Sequence, residues 1–248
     1  MSGALVVTGA ARGIGAALAA HFLDSGRRVF GIDVAGAADE LAGRSDYAHL
    51  VADVTDEGTM DAAFATVSAA GPVAAVFANA AVTDIEHRRV ADLAYSTWQR
   101  VLRVNVDGAF VTGRAAARVL SAEGRGNIVF VTSSLALLDQ ALAGDAPYCT
   151  SKAAVEMFAR VLARELAPAG VNVNTLYPSV KIDTGFFAHL EAGERATLAR
   201  PDILNRSASF LADLPPGTLS GLSLDQERFD GDPVYRAELE AAARGSGA

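Results

Sequence analysis

The chain has 248 residues, 51% of them hydrophobic, and a formal net charge of −8, with 21 Lys+Arg against 29 Asp+Glu. That length suits one α/β domain over residues 1–248 with a sizeable core, and an acidic chain without a basic cluster excludes nucleic acid and an anionic membrane surface as expected partners. No apolar run reaches the roughly 18 residues of a membrane span, no signal peptide is expected, and a single cysteine, Cys149, suits a reducing cytoplasm.

In chain order, Leu5-Val6-Val7 reads as a buried parallel strand, ending in Thr8-Gly9-Ala10-Ala11-Arg12-Gly13-Ile14-Gly15 and a helix from Ala16 to about Ser25. Strand, glycine-rich turn and helix together make a dinucleotide site: glycines let the backbone approach a pyrophosphate, and the helix N-terminus offers free N–H groups. The spacing is Gly-x-x-x-Gly-x-Gly, unlike the more general Gly-x-Gly-x-x-Gly fingerprint. Arg28 to Asp33 reads as a second strand whose terminal Asp33 lies 18 residues after Gly15. An acid there hydrogen-bonds the adenosine ribose and repels a 2′-phosphate, which favours NAD over NADP; Arg12 pulls the other way, since a guanidinium pairs with phosphate. A strand-end turn acid is the plainer reading of Asp33.

Ala48 to Val54 reads as a third strand, with Asp53 placed either to meet the adenine amino group or to cap the helix that starts at Asp56-Glu57 and runs to Ala70. Val73 to Ala78 is a fourth strand ending in Asn79-Ala80-Ala81, small residues that leave room for a ligand. A long helical pattern follows from Ala94 to about Leu120, with Asn105 in its middle, where a short amide is a poor helix former. Asn127 to Thr132 is a fifth strand closing in Ser133-Ser134, and a loop delivers the chain to Tyr148. Val171 to Tyr177 is a sixth strand ended by Pro178-Ser179, and Phe186, Phe187 and Leu190 read as a lid or as an ordinary packing segment. Leu219 to Leu224 is a last short strand, Pro233 to Arg244 a polar helix, and Gly245 to Ala248 a frayed end.

The stretch with the sharpest chemistry is Tyr148-Cys149-Thr150-Ser151-Lys152. Residues four apart on a helix share a face, so the Lys152 ammonium is expected beside the Tyr148 phenol. A nearby cation favours the phenolate, and a tyrosine so tuned exchanges a proton with an alcohol or a ketone. Alternation of strands and helices throughout predicts a doubly wound parallel sheet of Rossmann type, flanked by helices.

Thr8-Gly9-x-x-x-Gly13-x-Gly15, Asp53-Val54, Asn79-Ala80-Ala81, Asn105-Val106, Ser134 and Tyr148-x-x-x-Lys152, in this order, resemble the motifs of the short-chain dehydrogenase/reductase family over about residues 4–225, leaving a polar C-terminal tail at 226–248. The resemblance implies an NAD(P)-dependent oxidoreductase of a small alcohol or ketone, with NAD ahead of NADP and no metal. It assigns Tyr148 as general acid/base, Lys152 to tune that tyrosine and hold the nicotinamide ribose, Ser134 (with Ser133 as competitor) to bind the substrate oxygen, and Asn105 to anchor a water through its backbone carbonyl. It places Gly9, Arg12, Gly13, Ile14, Gly15, Asp33, Asp53, Val54, Asn79, Ala80, Ala81, Tyr148, Lys152, Pro178, Val180 and Thr184 around the cofactor, and implies a homodimer or homotetramer built on the helices at 94–120 and 149–167. The chain departs from the family in three places. Ser179 stands where a glycine is usual, Thr184 is displaced within its motif, and Leu222-Ser223-Leu224-Asp225-Gln226-Glu227 replaces the usual C-terminal strand ending.

Overall fold

The computed structural model describes residues 3–245; of the expected frayed end at 245–248, Gly245 is helical and 246–248 lie outside the described residues. Seven strands form one parallel sheet: β1 Ala4–Thr8, β2 Val29–Asp33, β3 Tyr47–Val51, β4 Val73–Ala78, β5 Gly126–Val131, β6 Val171–Tyr177 and β7 Ser223–Asp225. Their spatial order is β3-β2-β1-β4-β5-β6-β7. The chain therefore winds outward from β1 to one edge, returns to the centre at β4, and winds to the other edge. The reversal between β1 and β4 opens a crevice at the carboxyl ends of the central strands, where sheets of this class bind ligands.

Side chains alternate across each strand, and the core splits accordingly. Val6, Val76, Ile128 and Val173 face one layer with α2 (Glu57–Ala69), α4 (Gly108–Glu123) and α5 (Ala146–Leu166). Leu5, Val7, Phe77 and Val129 face the other, with α1 (Gly13–Asp24) and α7 (Asn205–Ala212). The two centre strands β1 and β4 are buried along their whole length, which their unbroken apolar sequence anticipates.

Local chemistry sets the helix ends. Asp56 accepts from the Thr59 N–H at 2.9 Å and starts α2. Pro147 sits in the first turn of α5, where its missing N–H leaves no gap. The long pattern expected at 94–120 is one helical path in three parts: α3 Tyr95–Leu102, a wide π turn at Arg103–Asp107, and α4. Asn105 is the centre of that π turn.

The last strand is shorter and later than expected. Asn174 of β6 donates to the Leu219 carbonyl and accepts from the Leu222 N–H, both at 2.9 Å, so a side chain joins the backbone bonds Gly221 N–H to Val173 and Thr175 N–H to Leu222 in holding 219–222. The following helices, α8 Gln226–Gly231 and α9 Pro233–Gly245, are no free tail. Phe229 is fully buried against Phe210, with ring centroids 5.0 Å apart, and Ala243 is buried with it. The short α6 spans Ala192–Arg195.

Two asparagines tie the sheet to the layer beneath it. Asn127 and Asn172 are register partners on β5 and β6. Asn127 donates to the carbonyls of Ala212 and Leu214 at 2.9 and 3.2 Å, and Asn172 donates to Asn127 and to the Pro215 carbonyl at 2.9 and 2.8 Å. Replacing Asn127 by Leu strands these partners in an apolar setting. We expect Asn127→Leu to lose about 2–3 kcal/mol of unfolding free energy, read by urea titration, with no comparable loss for the nearby control Arg125→Lys.

Candidate active site

The glycine-rich turn closes over the carboxyl ends of β1 and β4. Gly9 has φ +70°, and a Cβ on it would lie 2.9 Å from both the Ala80 Cα and the Asn79 amide nitrogen. Gly15 is tighter still, since a Cβ there would fall 2.1 Å from the Gly9 carbonyl oxygen. Asn79 pins the turn by donating to the Thr8 carbonyl at 3.0 Å, while the Thr8 hydroxyl accepts from the N–H groups of Asn79 and Ala80 at 3.0 and 3.2 Å. The N-terminus of α1 has no side-chain cap and no acid in its first turn, so its N–H groups and positive dipole end face the crevice. This cradle fits a pyrophosphate: the backbone is bare where an anion would approach, and donors are left for it.

Asp33 ends β2 beside this turn. Its two oxygens accept from the Ala11 and Ala35 N–H groups, each at 3.0 Å, so it also braces the glycine-rich loop. A carboxylate has about four acceptor sites, which leaves room for ribose hydroxyls. Asp53 does not cap α2, because Asp56 does; Asp53 accepts from the Thr55 N–H at 2.8 Å and stays exposed. Val54 is buried and packs where Gly108 leaves no side chain.

α5 carries the reactive pair. Lys152 is buried, and its ammonium donates to the Val131 carbonyl at 2.8 Å and lies 5.7 Å from the centre of the Tyr148 ring. Burial pulls the Lys152 pKa down to about 8, with Glu156 opposing. Tyr148 keeps a partly exposed edge, but its hydroxyl end is densely surrounded, and burial pushes its pKa up to about 12. This corrects the expected balance. The cation alone predicts a lowered phenol, yet burial raises it, and the ammonium is bonded to a strand carbonyl rather than to the phenol.

Of the two serines, it is the Ser133 hydroxyl that lies near enough to the Tyr148 phenol to favour its ionised form. Ser133 continues β5 in an extended conformation (φ −159°, ψ 150°) and also accepts from the Leu135 N–H at 3.2 Å. Ser134 opens a 3-10 turn instead, and its N–H donates to the Pro178 carbonyl at 3.4 Å. The family pattern, which takes the second of two such serines, points to Ser134; the chain, extended at Ser133 and turning at Ser134, brings Ser133 to the phenol.

Asn105 is buried in the π turn. Its side chain clamps Val82, accepting from the N–H at 2.8 Å and donating to the carbonyl at 2.9 Å, and also donates to the Ser151 hydroxyl at 2.9 Å. Ser151 in turn donates to the Tyr148 carbonyl at 2.7 Å. A cavity of about 10 Å³ lies between Asn105 and Lys152, with Thr8 and Thr112 among its walls; that is the space one water takes. Among the described residues, no cluster of His, Cys, Asp or Glu could hold a metal ion, and no helix is long and apolar enough to cross a membrane.

A family model described as short chain dehydrogenase matches residues 4–195. The chain belongs to the short-chain dehydrogenase/reductase family. It is therefore an oxidoreductase acting on CH–OH groups, in a family that uses NAD(P). It is 35% identical over 222 residues to a cis-4-hydroxycyclohexanecarboxylate dehydrogenase of Sinomonas cyclohexanicum, covering 84% of this chain and 88% of that protein. It is 39% identical over 176 residues to a galactitol 2-dehydrogenase (L-tagatose-forming) of Cereibacter sphaeroides, covering 69% and 68%. Among solved structures it is similar to a 3-ketoacyl-(acyl-carrier-protein) reductase from Brucella melitensis complexed with NADH, at TM-score 0.80 and 25% identity, covering 90% of this chain and 96% of that one.

The segment after β6 covers this dehydrogenase's site. Phe186 packs edge-on against Tyr148 at 6.0 Å between ring centres, and Lys181 stands over Phe187 at 5.9 Å. Thr184 lies against Gly13, its methyl 3.2 Å from where a Cβ would sit, and Gly185 lies beside the exposed Arg12. The Asp183–Arg195 ion pair, 2.7 Å at its shorter contact, ties the segment to α6. Pro178 and Ser179 lead into it, and Val180 is exposed. The departure at Ser179 has a partner: its hydroxyl donates at 3.0 Å to Asp225, the acid that caps α8, so two departures from the family join into one contact. In the loop before α5, Asp145 is buried and engaged by His87 Nδ1 at 2.5 Å, whereas Asp139 and Gln140 are exposed.

Gly15→Ala tests the cradle. An exposed helical Gly→Ala change normally gains about 1 kcal/mol; here the clash with Gly9 reverses the sign. We expect a lower melting temperature and a cofactor Kd weakened by at least about tenfold, measured by calorimetry.

Proposed function

We propose that this chain is an NAD-dependent dehydrogenase that interconverts a secondary alcohol and a ketone, with Tyr148 as general acid/base. The observation that carries the reading is the convergence of Ser133, Tyr148 and Lys152 at the carboxyl end of β5, beside the uncapped N-terminus of α1. Bound nicotinamide supplies the hydride acceptor or donor at its C4. Ser133 and Tyr148 grip the substrate oxygen, and Tyr148 takes the alcohol proton in one direction and returns it in the other. Lys152 holds positive charge one helical turn away, which favours the phenolate once the site is occupied. The Asn105 cavity gives a water a seat next to Lys152, from which a proton can be passed on. Gly9, Arg12, Gly13, Ile14, Gly15, Asn79, Ala80 and Ala81 would line the pyrophosphate and ribose, Asp53 and Val54 the adenine, and Pro178, Val180 and Thr184 the nicotinamide.

Exposed Phe110 on α4 and Met157 and Val161 on α5 support pairing of these helices between subunits of a homodimer or homotetramer. Phe186 against Tyr148 supports a substrate with an apolar face next to its carbinol carbon.

Tyr148→Phe should bind cofactor normally and lose turnover by about 10²–10⁴-fold. Ser133→Ala should lose about 10²-fold, while Ser134→Ala stays near wild type; NADH absorbance with a panel of secondary alcohols reads all three. The opposite order for the serines returns the role to Ser134. A wild-type preference for NADPH would overturn the NAD assignment and favour Arg12 over Asp33. If Asp33 sets the preference, Asp33→Ala should narrow it, measured as the ratio of kcat/KM for the two cofactors.

A further inference from the structure

Glu156 lies one helical turn beyond Lys152 on α5, on the same face, and is only 7% exposed. Its two oxygens are held separately: Oε1 accepts from the Thr132 hydroxyl at 2.6 Å and Oε2 from the Thr175 hydroxyl at 2.9 Å. Thr132 follows β5 and Thr175 lies in β6, so the carboxylate bridges two adjacent strands beneath the helix. Both oxygens accept, as an ionised carboxylate does. Burying an acid in this way is unfavourable unless it is hydrogen-bonded and paired, and Lys152, 4% exposed, is the nearby group of opposite sign.

We propose that Glu156 is a positioning residue for Lys152: its carboxylate, clamped between β5 and β6, keeps the Lys152 ammonium charged in the buried floor of the site. Lys152 has few other supports. Its ammonium bonds the Val131 carbonyl, which stabilises but carries no full charge. Tyr148 presents a ring, and the cavity walls from β1, β4, the π turn and α4 are uncharged, Thr8, Asn105 and Thr112 among them. Among the described residues, Glu156 is the charged side chain that acts on Lys152, and it acts against burial. The threonines matter because a carboxylate without donors would take up a proton itself. The role assigned to Glu156 rests on the reading of Lys152 as a charged catalytic partner, but the charge state itself can be measured without any turnover.

The chain has two lysines, Lys152 and Lys181, so lysine labelled with carbon-13 at Cε gives two side-chain signals. In the free wild-type protein the Lys152 signal should titrate near pH 8, with exposed Lys181 as internal reference. In Glu156→Gln, which keeps the shape, the Lys152 midpoint should fall by about one unit or more while Lys181 stays put, and Glu156→Asp should restore part of the fall. An unchanged Lys152 midpoint in folded Glu156→Gln overturns the proposal. If that variant does not fold, Thr132→Val carries the test: a fall of the same sign and smaller size supports it, and no fall overturns it. The alkaline limb of the kcat/KM profile should move acidward with the NMR midpoint, whereas a merely structural defect lowers the amplitude and leaves the limb in place. Absence of turnover with every alcohol would count against the proposed reaction, and the lysine titration would still decide the role of Glu156 by itself.

Discussion

An ammonium held out of water is the constraint around which this site is arranged. Lys152 is buried, bonded to a strand carbonyl and backed by a clamped acid, and its place on α5 sets the places of Tyr148 before it and Glu156 after it. Burial raises the phenol and lowers the amine, with Glu156 opposing the second shift.

The sheet makes this arrangement possible. The reversal of strand order puts the ends of β1, β4 and β5 side by side. Each end contributes one device: the bare glycine-rich turn, the Asn79 clip that holds it, and the Ser133 hydroxyl that meets Tyr148. The π turn at 103–107 adds a fourth, because the widened backbone lets Asn105 point inward and lock Val82, Ser151 and, through Ser151, the first turn of α5. Wide turns of this kind interrupt a helix at some loss of regularity and are frequent at functional sites. A ligand bound here would meet a frame whose parts are already hydrogen-bonded to one another.

The far edge shows how the chain tolerates its departures from its family. Ser179 and Asp225 replace separate family features and find each other across β6 and β7, and Asp225 also starts α8. Asn174 then adds side-chain bonds to the backbone pairing that holds 219–222. Phe229 anchors what reads as a polar tail. One apolar residue in a polar stretch carries little periodic signal, so its burial is invisible until the opposite surface is in place.

Residue types and spacing alone determined the alternating α/β order, the glycine-rich turn, the acid ending β2 and the Tyr148–Lys152 pair, because each depends on a local rule of strand, turn or helix geometry. They left open what depends on distances across the fold. Ser133 rather than Ser134 lies near the Tyr148 hydroxyl, because the chain stays extended at Ser133 and turns into a 3-10 helix at Ser134. Asp56 rather than Asp53 caps α2, and Asp145 is taken up by His87 from a separate loop. The direction of the Tyr148 shift depends on packing in the same way: spacing places a cation nearby, but only the packed interior buries the phenol, and burial raises its pKa.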